Sequence, residues 1–268
     1  MTNSKPRILI TGATRGIGRA TAFALQDFAH LMLVGRDEKA LEALVAELPS
    51  AEYVLADLSD SQKIIVGMRE ARESGALGTG SGGLDGAVLS AGVLAGDTVE
   101  NTKPGDWEFA LHMNVTAQAV LTAQILPELR EARGTIVFVN SGSGFTSKPG
   151  NAVYSATKFA LRALSDALRE EERERGVRVV SLHPGRVATD MQRELRAYEG
   201  GEYVESDYMK PETIGEAVRY ALTAPPEANV DVLSIRPREW LISKSSTLSV
   251  ARPAARRATG TRNGEHET

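Results

Sequence analysis

Short apolar runs alternate with longer segments of helical periodicity along almost the whole chain, and this alternation narrows the possible folds more than any other feature. Runs at 7–10, 31–34, 53–56, 84–89, 135–139, 177–182 and 230–235 have strand length and strand composition, and helical patterns separate them. A strand that reaches the next one through a helix lies parallel to it, and a parallel sheet needs helices over both faces. The expectation is an α/β fold: a doubly wound, parallel, seven-stranded sheet forming a single domain over residues 1–243. Hydrophobic residues make up 42% of the 268, near the globular average, so a core of that size can be filled.

The first strand runs into Thr11-Gly12-Ala13-Thr14-Arg15-Gly16-Ile17-Gly18 and then a helix expected from Arg19 to Phe28. Glycines in a strand–turn–helix context allow a tight turn and close approach of the backbone to a pyrophosphate at the helix N-terminus. The spacing is Gly-x-x-x-Gly-x-Gly, not the common Gly-x-Gly-x-x-Gly. The second strand ends at Gly35-Arg36-Asp37, where an adenosine ribose is normally met. An acid at that place favours a free 2′-hydroxyl; here Arg36, with Arg15 from the turn, suits a 2′-phosphate, unless both are solvated surface arginines. Asp37 reads as a helix N-cap. Asp57, followed by Leu58, closes the third strand; it can accept from an adenine amino group or cap a helix, a role that Asp60 or Ser61 fills equally well.

Residues 75–83 have the composition of a phosphate loop but follow a helix and precede a strand, so they read as a flexible surface connection. The fourth strand ends in Ser90-Ala91-Gly92, small enough for a cofactor to pass close to the backbone. A long helix is expected from about 106 to 130, and Asn114 inside it competes for backbone bonds, which calls for a bound water, a local kink or a solvated face. The fifth strand is followed by a Gly/Ser/Pro loop from Ser141 and a helix over about 152–175. Tyr154 and Lys158 are four apart near its start and share a face. A hydroxyl at a strand end, a phenol and an ammonium converging past one loop would make a proton-transfer site. The charged run 169–175 reads as a solvated face. His183 precedes Pro184-Gly185-Arg186-Val187-Ala188-Thr189 and has no carboxylate or histidine near it in sequence. Residues 187–210 read as an irregular polar lid over a substrate, with Tyr198, Tyr203 and Tyr208 hinting at an amphipathic pocket.

A net charge of −4 gives no reason to expect nucleic acid or an anionic membrane as partner. With no cysteine there is no disulfide, thiolate metal site or cysteine nucleophile, and no metal site is expected. No apolar run reaches the ~20 residues of a membrane span, and residues 1–7 lack the apolar core of a signal peptide, so a cytoplasmic location is expected. Residues 244–268 carry few core-forming side chains and read as a disordered basic tail.

Taken together, Thr11-Gly12-x-x-x-Gly16-x-Gly18, Asp57-Leu58, Asn114, Ser141 ahead of Tyr154-x-x-x-Lys158, and Pro184-Gly185-x-x-x-Thr189 resemble the short-chain dehydrogenase/reductase family over roughly 7–237. The resemblance implies a Rossmann-type fold and a hydride transfer between NADP(H), with NAD(H) possible, and a carbonyl or alcohol. It implies that Tyr154 is the general acid/base and that Lys158 lowers its pKa and holds the nicotinamide ribose. Ser141 would bind the substrate oxygen, and Asn114 a water leading from Lys158 to solvent. Thr189 would hold the carboxamide, with Gly12, Thr14, Arg15, Gly16, Ile17, Gly18, Arg36, Asp57, Leu58, Ala91, Gly92, Pro184, Gly185 and Val187 lining the cofactor. A homodimer or homotetramer is implied, with small residues Ala156, Ala160, Ala163 and Ala167 permitting close helix packing. One departure is Leu89-Ser90-Ala91-Gly92, where the family has Asn-Asn-Ala-Gly, so a changed hydrogen bond is expected there.

Overall fold

In the computed structural model, which describes residues 5–77 and 83–238, the strands are β1 (Arg7–Thr11), β2 (His30–Gly35), β3 (Ala51–Leu55), β4 (Gly86–Leu89), β5 (Thr135–Val139), β6 (Arg178–Pro184) and β7 (Val232–Ile235). They pair in the order β3-β2-β1-β4-β5-β6-β7, every pairing parallel. The helices are α1 (Gly16–Leu25), α2 (Glu38–Glu47), α3 (Ser61–Glu73), α4 (Pro104–Leu111), α5 (Ala117–Ala132), α6 (Ala152–Glu172), α7 (Asp190–Tyr198) and α8 (Pro211–Leu222). The expected tail at 244–268, and positions 78–82 of the glycine-rich connection, lie outside the described residues.

Because successive strand side chains point to opposite faces, each strand feeds two cores. Leu9, Met32, Val34, Leu89, Ile136 and Phe138 pack beneath α3, α5 and α6. Ile8, Ile10, Leu31, Leu33, Val88, Val137 and Val139 pack on the other face beneath α1, α2 and α8. Helices α1 and α8 meet closely because Gly215 carries no side chain: a Cβ there would lie 2.8 Å from the oxygen of Ala20.

Four expectations are corrected. The single long helix around Asn114 is α4 and α5 joined by a π-helical turn, His112–Thr116. The first helix begins at Gly16, inside the glycine-rich turn, not at Arg19. The lid at 187–210 is not irregular, since α7 occupies Asp190–Tyr198, with the Thr189 side chain accepting from the Gln192 N–H as its N-cap. The charged run 169–175 is not simply a solvated face. Glu172 is 2% exposed in its side chain and accepts two hydrogen bonds from Arg130, 2.8 and 2.6 Å, tying α6 to α5. On the outer side of α6, Ala156, Ala163 and Ala167 are exposed and Ala160 is half-buried, beside Phe159 at 44%. No helix among the described residues is long and apolar enough to cross a membrane.

Candidate active site

In a parallel sheet of this order the chain turns away in opposite directions after β1 and β4, which opens a crevice at their C-terminal ends. The glycine-rich turn lies there. Gly12 and Gly16 have φ of +65° and +54°, the left-handed region that favours glycine. A Cβ on Gly12 would lie 3.0 Å from the backbone of Ala91, and one on Gly18 only 2.2 Å from the Gly12 oxygen. Gly18→Ala is therefore expected to cost on the order of 3 kcal/mol, read as a lowered urea midpoint, because backbone would have to move. Helix α1 starts with Arg15 as its N-cap, without a side-chain cap bond and with no acid in its first turn, so its N-terminal N–H groups point at an open anion position. Thr14 and Arg15 are exposed at that end, and Ile17 is half-buried.

The departure at Leu89-Ser90 leaves the strand ends braced. Thr11 Oγ1 accepts from the N–H groups of Ser90 and Ala91, both at 3.1 Å. Gln118 Nε2 donates to the Ala91 oxygen at 2.7 Å.

Ser141, just past β5, Tyr154 and Lys158 on α6, and Asn114 in the π turn converge next to this crevice. Lys158 is buried; its Nζ donates to the Val139 oxygen at 3.2 Å and lies 5.6 Å from the Tyr154 ring centroid. Burial lowers its pKa to about 8. Burial pushes the Tyr154 phenol up, and a hydrogen bond with the Ser141 hydroxyl opposes that rise. The resemblance leads one to expect a lowered phenol; in the protein alone the direction is upward. Ser141 Oγ accepts from the Ser143 N–H at 3.1 Å, which uses a lone pair and leaves the hydroxyl proton to be donated.

Asn114 is buried and committed to protein partners. Its Oδ1 accepts from the Val93 N–H at 2.8 Å, and its Nδ2 donates to the Val93 oxygen and to Thr157 Oγ1, each at 3.0 Å. These bonds explain the π turn: the side chain reaches sideways to the β4 loop and to α6, and the helix widens to let it. A Cβ on Gly92 would lie 3.0 Å from Asn114 Oδ1 and 3.9 Å from Lys158 Nζ, so only glycine leaves room where these groups meet.

At the far end of the crevice, Asp37 caps α2 by accepting from the Ala40 N–H at 3.1 Å, and Asp60 caps α3. That frees Asp57 from capping α3. Its carboxylate accepts from the Ser59 hydroxyl and N–H at 2.7 and 3.0 Å, and these bonds, with Arg36 and Lys63 beside it, hold its pKa below the usual carboxylate range. Arg36 Nη1 lies 3.8 Å from Asp57 and its side chain is 73% exposed; Lys63 Nζ lies 3.6 Å away. Arg36, Lys39 and Lys63 share an open cleft of ≈ 930 Å³ with the apolar Leu55 and Val66. Lys63 was not singled out in the sequence, although it stands in the first turn after a strand end, where a cleft-facing cation belongs. Leu58 is buried next to it, its carbonyl accepting from His112 Nε2 at 3.1 Å.

After β6, the backbone of Gly185 bonds to Ile235 at 2.7 Å and abuts Pro237, so Pro184 and Gly185 seat the chain on β7 before it returns over the crevice. Val187 is buried and Thr189 comes back to the glycine turn, its methyl 3.4 Å from where a Gly16 Cβ would be. Of the three lid tyrosines, Tyr203 and Tyr208 stack on each other, centroids 5.0 Å apart, with Arg193 over Tyr203. They form a small aromatic cluster within the lid. Tyr198 alone reaches across: a Cβ on Gly150 would lie 2.9 Å from its hydroxyl. Among the described residues, no group of three or more histidine or acidic side chains is arranged to hold a metal ion.

A model of the short chain dehydrogenase family matches residues 6–200. An uncharacterized oxidoreductase of Staphylococcus epidermidis is 33% identical over 232 residues, covering 85% of this chain and 96% of its own. Another, of Staphylococcus aureus, is 31% identical over 237 residues, with the same shares, 85% and 96%. An alcohol dehydrogenase of the archaeon Thermococcus sibiricus, solved with 5-hydroxy-NADP, superposes with a TM-score of 0.76 at 26% identity, over 88% of this chain and 100% of that one. The chain therefore belongs to the short-chain dehydrogenase family of oxidoreductases.

Proposed function

We propose that this oxidoreductase transfers a hydride between NADP(H) and the carbonyl or alcohol carbon of a small molecule, with Tyr154 as general acid/base. The observation that carries the reading is the convergence of Ser141, Tyr154, Lys158 and Asn114 beside a glycine cradle in which a Cβ on Gly12 or Gly18 would press on backbone. The residues fit a dinucleotide. Gly12, Gly16 and the uncapped start of α1 would take the pyrophosphate, and Thr14, Arg15, Ile17 and Gly18 flank it. Ala91, Gly92 and Thr189 would hold the nicotinamide half, with Pro184, Gly185 and Val187 shaping that wall. The cofactor supplies the hydride and, when oxidised, a positive ring.

Ser141 donates its hydroxyl proton to the reacting oxygen and so stabilises charge that grows there. Tyr154 exchanges a proton with the same oxygen. Lys158 holds a ribose hydroxyl and supplies the ammonium that favours phenolate. The Asn114 side chain is spent on Val93 and Thr157, so a part in a proton path to Lys158 would fall to its main-chain carbonyl in the π turn. Ala156, Ala160, Ala163 and Ala167, with Phe159, offer a second copy a surface for pairing.

The test is NADPH oxidation against a panel of aldehydes, ketones and oxo-acids, with alcohols and hydroxy acids in reverse. The same assay decides cofactor choice. The 2′-phosphate preference rests on Arg36, and the 5-hydroxy-NADP held by the Thermococcus enzyme is in keeping with it. Arg36→Asp is expected to weaken NADPH about 10–100-fold and leave NADH nearly unchanged, measured by fluorescence titration. Equal weakening of both would show that Arg36 does not read the 2′-phosphate.

A further inference from the structure

The buried histidine of β6 has no part in the chemistry above, yet both its ring nitrogens are committed. Nδ1 lies 2.8 Å from the main-chain oxygen of Ser141, and Nε2 lies 2.8 Å from Ser181 Oγ. A carbonyl only accepts, so Nδ1 carries the proton and Nε2 accepts the Ser181 hydroxyl. Ser181 Oγ in turn accepts from Asn140 Nδ2 at 3.5 Å, and Asn140 Oδ1 accepts from the Ser141 N–H at 2.9 Å. The bonds close a ring through Ser141, His183, Ser181 and Asn140. Both main-chain polar groups of Ser141 thus meet side chains that are themselves buried, and its carbonyl also accepts from the Gly144 N–H at 3.0 Å. The imidazole also packs on Phe145, centroids 4.1 Å apart, at the end of the turn that follows Ser141. That turn fits closely over it: a Cβ on Gly144 would lie 3.0 Å from Asn140 Oδ1 and 3.3 Å from His183 Cε1.

Ser141 begins a Ser-Gly-Ser-Gly segment, which has little stiffness of its own. A hydroxyl that must meet a reacting oxygen loses on the order of 100-fold in rate when it is misplaced by ~1 Å. We propose that His183, through this ring, is a positioning residue that clamps the Ser141 peptide and so aims its hydroxyl. The inference rests on Ser141 being the group that binds the reacting oxygen. The ring needs a neutral imidazole. Burial holds the imidazole pKa down; the bond to the Ser141 carbonyl opposes this, and the charged groups that bear on the ring, Arg162 and Lys158 from α6 and Arg236 from beyond β7, are all cations that add to the lowering. The clamp therefore opens only at a lower pH than that at which a free histidine charges.

His183→Leu and His183→Asn separate the hydrogen bond from the packing. Asparagine keeps an N–H near the place of Nδ1–H; leucine fills the space without one. The leucine variant is expected to lower kcat about 10–100-fold with KM for NADPH within about two-fold, and asparagine to restore kcat to within about five-fold of wild type. If leucine does not fold, Ser181→Ala opens the same ring and is expected to lower kcat about 3–10-fold. Wild-type kcat in the leucine variant, or asparagine falling as far as leucine, overturns the clamp. The ring itself is read without turnover, by ¹⁵N NMR of the unliganded wild type. An Nδ1–H tautomer that is still neutral at pH 6.5 and persists to pH 8 is expected; an Nε2–H tautomer or a titration at or above 6.5 overturns the proposal. Tyr154→Phe, assayed alongside, keeps the two readings apart: turnover surviving there refutes the catalytic assignment and leaves the NMR result to decide the ring.

Discussion

Lys158→Met is expected to lower turnover by about 10³-fold or more and, at pH 7, to make the protein more stable. The first effect follows from removing the ammonium beneath Tyr154, whose phenol burial already pushes up. The second follows from linkage. Burial brings the folded lysine to about 8, against 10.5 for an ordinary lysine. Between those values the unfolded chain holds a proton that the folded chain does not, so stability rises with pH across that window and is flat below it. At pH 7 the whole penalty is present, and a neutral side chain of similar shape escapes it. Allowing for the lost bond to the Val139 oxygen, the gain is about 2 kcal/mol at pH 7 and vanishes by about pH 10.5. Urea denaturation of both proteins at pH 7 and pH 10 checks this. A methionine variant less stable than wild type at pH 7 would show that burying the ammonium is not costly there. A stability–activity trade of this kind belongs to a group kept charged for its chemistry against its surroundings.

The sheet was legible because its signal is periodic. β1, β2, β4, β5 and β6 carry enough Val, Ile and Leu to feed both cores, the edge strand β3 buries only Val54, and the helices between the strands favour parallel pairing. The glycine positions were legible for the same local reason, since Gly12, Gly16 and Gly18 sit in a strand–turn–helix whose geometry forbids side chains. Asn114 announced itself as a misfit within a helix, and the π turn is what the misfit costs.

What stayed hidden depends on partners distant in sequence. Glu172 looked solvated inside its charged run, because Arg130 meets it only when α5 packs on α6. His183 looked isolated because Ser141, its hydrogen-bond partner, comes from the neighbouring strand. The upward push on Tyr154 is a property of burial, which spacing does not report. Helix α7 was missed for a different reason: its sequence is mostly polar, and its apolar stripe is only Met191, Leu195 and Tyr198. Thr189 followed by Asp190 was nonetheless a readable N-cap and first-turn acid.

Tyr154→Phe removes one oxygen and keeps the ring, so the packing on α6 is preserved. The proton exchanged with the reacting oxygen is lost, and Ser141 loses its partner. The Lys158 ammonium, the glycine cradle and the α1 terminus remain, and these are the groups proposed to bind the cofactor. Chemistry and binding should therefore separate. Once the panel has supplied a substrate, kcat and NADPH affinity are measured side by side for the wild type and this variant. The predicted result is a loss in kcat of about 10³-fold or more with the NADPH Kd within about two-fold. Turnover at the wild-type rate in Tyr154→Phe would contradict the assignment of this residue as the general acid/base.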